Sequence, residues 1–190
     1  MTRSSGIKWK VLVKRFRGSR PRLEVKPQGV VVYLPEGIDE GEVHEIVEKH
    51  REWIERRYEE LLKALAKAND VDLVERNKAE FKKLVEKLVE QAMKDVLGMN
   101  SCKIVIRKMR TRWASCSPKG TITINALASH LPDHLVTYIV YHEICHMIEP
   151  RHYRAFWSCV ETYVPNHKEL EEALLAYEIK LGLLDSTEIS

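Results

Sequence analysis

From residue 8 to residue 16 the chain reads KWKVLVKRF, with Trp9, Val11 and Val13 on one phase and Lys8, Lys10 and Lys14 on the other. A period of two predicts a strand with one buried and one wetted face. Arg22–Lys26 and Val30–Leu34 carry the same signature around a Pro27-Gln28-Gly29 turn. Residues 7–34 therefore read as a small antiparallel β-meander, closed by Pro35-Glu36-Gly37. The period then changes. Over 39–67, Val43, Ile46, Val47, Ile54, Tyr58, Leu61, Leu62 and Leu65 recur at three- and four-residue spacing; over 78–97 the series runs from Phe81 to Leu97. Both predict long amphipathic helices, with Gly98 suited to ending the second and Asn69-Asp70 marking the connection.

The remainder mixes both periods. KIVIRK over 103–108 predicts a strand, and RWASC (112–116) with TITIN (121–125) a hairpin turned by Ser117-Pro118-Lys119-Gly120. Three helices are expected at about 132–148, 152–164 and 167–182, with Pro150 and Pro165 ending the first two. The pattern divides the chain into a basic meander (1–38), a helical scaffold (39–100) and a mixed core (101–190), expected to pack as one unit of α+β class.

Composition bounds what these elements can do. At 190 residues, 44% hydrophobic and 31% charged, the chain can bury one real core, or a core plus a small appendage. No apolar run approaches the roughly 20 residues needed to span a bilayer. The N-terminus lacks an apolar h-region and a cleavage site, so no signal peptide is expected and the cytoplasm is the predicted location. Cys102, Cys116, Cys145 and Cys159 show no CxxC spacing and are expected as free thiols of a reducing compartment, with disulfides as the alternative, since hyperthermophile interiors are an exception. The net charge of +3 hides an asymmetry: residues 1–26 hold nine Lys/Arg against Glu24 alone, and 101–119 hold six with no acid. Two basic segments in an otherwise acidic chain point to an anionic partner such as nucleic acid.

The segment YHEICHMIEPRH, 141–152, carries the chemistry. His142 and His146 are one turn apart on one helix face, able to bind a single ion, and Glu143 reaches the edge of that site. This is the HExxH arrangement: two zinc ligands and a glutamate general base acting on a metal-activated water. A straight helix would carry His152 two to three turns away, too far for the same ion. Pro150 cannot continue the helix, so the break predicts that His152 returns as third metal ligand; His167, Glu149 and Glu161 are the alternatives. Three protein ligands leave one position for water, the mark of a catalytic zinc site.

Together, TRWASCSPKGTITIN (111–125), YHEICHM (141–147) and PRHYRAFW (150–157) resemble the YgjP-type metallopeptidases, zincins distantly related to the SprT/Spartan proteases. The resemblance extends over nearly the whole chain, with Ala114 where the family usually has Gly. It implies a zincin-like catalytic domain, Zn2+ held by His142, His146 and His152, Glu143 as catalytic residue, and a protein or peptide substrate. It also implies substrate added as a strand to a sheet edge, for which Thr121–Asn125 is the candidate. The metzincins share the histidine spacing, but have Gly where Glu149 stands and a downstream Met-turn that this chain lacks. Tyr153, Arg154 and Arg112 are the available oxyanion partners; Trp113, Phe156 and Trp157 read as core. Two further readings stand beside the peptidase: a DNA-associated SprT-like protease using segments 1–26 and 101–119, and a non-enzymatic zinc-stabilised module. The oligomeric state stays open.

Overall fold

The computed structural model describes residues 9–183, so the first eight residues of the N-terminal basic segment, Lys8 of the first predicted strand included, lie outside the described residues. The chain forms two compact units, one up to Lys67 and one from Ala68 onward. The boundary falls inside the stretch 39–100 read from the sequence as a single scaffold.

The first unit holds β1 (Lys10–Phe16), β2 (Arg22–Lys26), β3 (Gly29–Pro35), α1 (Val43–Lys49) and α2 (Arg51–Ala68). The three strands form where alternation places them, but not as a meander. Their order is β1-β3-β2, with β1 parallel to β3 and β2 antiparallel to it. Gly29 makes this possible. Its φ of 142° is disfavoured for L side chains, and a Cβ there would run into the Lys10 carbonyl of the neighbouring strand. Val30, Val32 and Leu34 pack with Val47 and Ile54 of the helices, joined by Leu23 and Val25 of β2. By register Val11 and Val13 share that face, yet they stay 39% and 38% exposed. The alternation read from the sequence holds, but its burial is reversed: in β1 Leu12, Lys14 and Phe16 are half-buried and Val11 and Val13 are exposed, because the apolar cluster stops short of that strand.

The single helix expected over 39–67 is broken at His50. In an unbroken helix the His50 N–H would bond the Ile46 carbonyl. Instead the imidazole Nδ1 lies 2.8 Å from that oxygen, and the backbone N–H turns to Val47 at 3.1 Å. The side chain occupies the acceptor the helix needs.

The second unit begins with α3 (Lys78–Leu97), capped by Asn77 and Glu80 and ended by Gly98 at φ 65°. Next come β4 (Lys103–Arg107), β5 (Ala114–Cys116) and β6 (Thr121–Asn125), then α4 (Asp133–Cys145), α5 (Arg154–Tyr163) and α6 (His167–Lys180). The sheet order is β4-β6-β5, with β4 parallel and β5 antiparallel to β6. This corrects the expected edge: Thr121–Asn125 is the central strand, hydrogen-bonded on both sides, and cannot accept another. The free edges are β4 and β5. The mixed α+β class holds, and α4 lies in the core, with apolar or polar side chains buried around nearly its whole circumference.

A candidate metal centre at the end of a core helix

Three segments build the site. The first is α4, whose one-turn spacing puts Tyr138, His142 and His146 on one face, with Glu143 beside them. Burial holds the His142 imidazole down to about 3, helped by the charges of His146, His152 and His167. Burial also lowers His146. Both rings are therefore kept in the neutral form that a metal requires. Each also has its Nδ1 engaged: His142 with the Tyr138 hydroxyl at 3.3 Å, His146 with the Glu149 carbonyl at 3.2 Å. The Nε2 atoms are left for the site.

The second segment is the return. The chain leaves the helix at His146, a turn earlier than Pro150. Met147 bonds back to Ile144 at 2.9 Å, and Ile148 and Glu149 both bond to Cys145 at 3.0 Å. Pro150 then blocks any resumption, because it has no N–H to offer. The Glu149 carboxylate accepts from the Arg151 N–H at 3.0 Å, and α5 starts at Arg154. This brings His152 Nε2 to 3.2 Å from His142 Nε2. Tetrahedral zinc with Zn–N bonds of 2.0–2.1 Å needs ligand nitrogens roughly 3.3 Å apart, so the spacing fits such an ion. One ligand atom from each of His142, His146 and His152 lies within 4.8 Å of the others. Among the described residues no other group of three or more His, Cys, Asp or Glu comes together this way. His167, Glu149 and Glu161 do not join it; His167 is buried with its ring stacked on Trp157.

Phe156 forms the floor. Fully buried, its ring centre lies 4.8, 4.3 and 4.7 Å from those of His142, His146 and His152. Trp113 is buried as core and Trp157 half-buried, its ring 5.7 Å from His152.

The third segment is β5. The bonds from Asn125 N to Trp113 O (2.7 Å) and from Ser117 N to Thr121 O (2.9 Å) set its phase. Ala114 and Cys116 therefore turn their N–H and C=O groups to the open edge. The Cys116 N–H donates to the Glu143 carboxylate. Burial pushes the Glu143 carboxyl up to about 7, against the pull of that N–H and of Arg112. The Cys116 thiol is raised to about 11 by burial first, then by Glu143.

Two features escaped the sequence reading. Asn125 is fully buried and satisfies four backbone groups: its amide donates to Met109 O and Arg112 O, and its Oδ1 accepts from Met109 N and Leu127 N. It thereby holds the loop that leads into β5. Nothing in the string TITIN distinguishes it from an ordinary strand end. Tyr138 was readable in principle, being one turn before His142. The four-free-thiol expectation is corrected as well: Cys145 and Cys159 are disulfide-bonded, their Cα atoms 6.1 Å apart, while Cys102 and Cys116 are free. The pairing comes from α4 packing on α5, which spacing alone could not reveal.

Comparison with known proteins follows the same lines. The profile of the YgjP-like metallopeptidase domain matches residues 63–177. Among curated proteins no match was found. Two solved structures are similar. The metallopeptidase zymogen abylysin of Pyrococcus abyssi is 34% identical over 49% of this chain and 93% of its own, with a TM-score of 0.45. The metallopeptidase zymogen jannalysin of Methanocaldococcus jannaschii is 24% identical over 51% and 96%, with a TM-score of 0.44.

Proposed function

The chain belongs to the YgjP-like metallopeptidase family, and on that premise we propose that His142, His146 and His152 hold a zinc ion while Glu143 serves as general base in peptide-bond hydrolysis. The observation that carries this reading is the 3.2 Å approach of two imidazole Nε2 atoms beside a buried carboxylate. When bound, zinc supplies Lewis acidity, lowering the pKa of water and polarising a carbonyl. Glu143 takes the proton from water and returns it to the leaving amine. Its carboxyl, pushed up to about 7 by burial, is matched to both tasks near neutral pH. The Cys116 N–H fixes its orientation.

Substrate fits the outer edge of β5 as an extended strand, paired with the main chain of Ala114. Arg112 is the favoured oxyanion partner. Its charge reaches Glu143 from the loop before β5. A non-enzymatic zinc module gives no reason to bury a carboxylate beside the triad, where desolvation costs stability. The expected cytoplasmic location agrees with the disulfide where interiors tolerate such bonds, as in hyperthermophiles. Among the described residues no helix is long and apolar enough to cross a membrane.

Glu143→Gln tests the assignment. The variant should keep one zinc per chain, measured by metal analysis, and lose about 10²- to 10⁴-fold in kcat/KM on a peptide substrate. Undiminished turnover would remove Glu143 from the mechanism.

A second reading, DNA-associated proteolysis, is favoured by one contrast. In the N-terminal basic segment Arg15 pairs with Glu40, Arg17 with Glu36 and Lys26 with Glu24, and Arg22 lies over Phe16. Among the described residues no ion pair engages the six cations of 101–119. That segment is the better candidate for phosphate. Its binding to duplex DNA should fall steeply with added salt; affinity indifferent to salt would discard this reading.

A further inference from the structure

The Cys145–Cys159 bond encloses the ligand-bearing return. Cys145 is fully buried and directly precedes His146; Cys159 lies 14 residues on, in α5. Phe156 and Cys159 stand three residues apart on one face of α5, and with His152 just before that helix they meet α4 at His142, His146 and Cys145. Between the two cysteines the chain is weakly held. Among the described residues, the hydrogen bonds of 148–153 run only within the segment, to its flanks at Cys145, His146 and Trp157, or from His152 to His142. His152 itself is exposed. Ring packing on Phe156 and the stack of Tyr141 on Tyr163 also join the outgoing helix to the returning one, and the disulfide is the covalent tie that sits directly beside the ligands.

We propose that Cys145 and Cys159 are positioning residues of the metal site: their bond pre-sets His152 against His142 and His146 before any ion binds. This rests on the three-histidine reading above. Closing the loop covalently removes disordered arrangements of the return from the metal-free state. The ion then meets an assembled triad and does not have to gather one. Supporting groups around metal ligands typically govern about 10- to 100-fold in affinity, and that is the size expected here.

The test uses the full chain stripped of metal. Zinc affinity is measured by competition with a chromophoric chelator for the oxidised protein, the phosphine-reduced protein and Cys145→Ala/Cys159→Ala. In the reduction one S–S bond becomes two thiols and the phosphine becomes its oxide, with water supplying the oxygen and both protons. The oxidised protein should bind one zinc. Both disulfide-free forms should keep the same far-UV circular dichroism and bind about 10- to 100-fold more weakly, with reoxidation of the wild type restoring the affinity. If the double variant fails to fold, the reduced wild type decides. Affinities within about twofold of each other overturn the proposal, as does alkylation of all four cysteines without reductant. Global unfolding of the metal-free protein on reduction also overturns it, because the bond would then hold the fold and not the site. Failure of the oxidised protein to bind zinc at all takes down the three-histidine reading itself, an outcome distinct from redox-indifferent binding.

Discussion

The two three-stranded sheets share one pairing scheme, β1-β3-β2 in the first unit and β4-β6-β5 in the second, each with a parallel and an antiparallel neighbour around a central third strand. Even the last pairs correspond: Phe16 faces Pro35, and Arg107 faces Asn125. They differ in what they bury. The first sheet packs valines and leucines, and its exit is held from the surface by Arg15, which donates to Pro35 O at 3.3 Å and Ile38 O at 2.5 Å. The second sheet's exit is held from inside by Asn125. Among the described residues every buried polar or charged side chain, Asn125, Glu143 and His167, belongs to the second unit. Burying such groups costs stability unless each is paired. Topology alone therefore does not make a site; the second unit is set apart by accepting that cost next to one open strand edge.

The largest expected break in this comparison comes from histidine. His146→Ala should abolish tight zinc binding, whereas His50→Ala in the first unit should leave one zinc per chain, both read by metal analysis after dialysis. Retained stoichiometry in the first variant would dissolve the contrast. Next is the exit from each sheet. Asn125→Ala removes the partner of part-buried backbone groups on Met109, Arg112 and Leu127 and should cost about 4 kcal/mol in denaturant unfolding. Arg15→Ala, whose bonds to Ile38 and Glu40 are exposed, should cost about 1 kcal/mol. Equal losses would mean the two exits are held alike.

A pH experiment sharpens the same point. The Glu143 carboxyl is raised to about 7, so the folded metal-free protein holds a proton that the unfolded chain has already released. Its contribution is full below about 4.5 and is lost as pH rises through 7. His142 is lowered to about 3, so its contribution is full above about 6.5 and is lost as pH falls through 3. The two slopes oppose each other between about 4.5 and 6.5. Glu143→Gln isolates one of them: wild-type stability minus variant stability should shrink by about 3 kcal/mol from pH 4.5 to pH 8, at 1.36 kcal/mol per unit. A difference constant with pH would mean Glu143 titrates normally. The smallest effect belongs to β1, where Val13→Thr should change stability by no more than about 0.5 kcal/mol, since its side chain is already wet. A loss of 2 kcal/mol would show that β1 is covered after all.

Much of this architecture was legible beforehand. The strands at 103–107 and 121–125 and the helix at 78–97 lie where periodicity put them, because each buries one face against its own unit. The His142, Glu143, His146 and His152 cluster was legible for the same local reason, helical spacing followed by a proline. Pairing was not. Alternation says that Val11 and Thr121 lie in strands, but gives no sign of which strand will be the neighbour. The meander and the expected β6 edge failed on that point. The break at His50 was invisible because an imidazole taking a backbone carbonyl leaves no Gly or Pro behind.

By itself the sequence determined which residues are the candidates for chemistry, how far apart they stand along the chain, and roughly where regular structure lies, since these depend on neighbours within a turn or two. Only the tertiary structure decided that β5 is an open edge beside Glu143, that Asn125 holds the loop leading into it, and that Cys145 meets Cys159. Those are contacts between segments brought together by core packing, and no local periodicity encodes them.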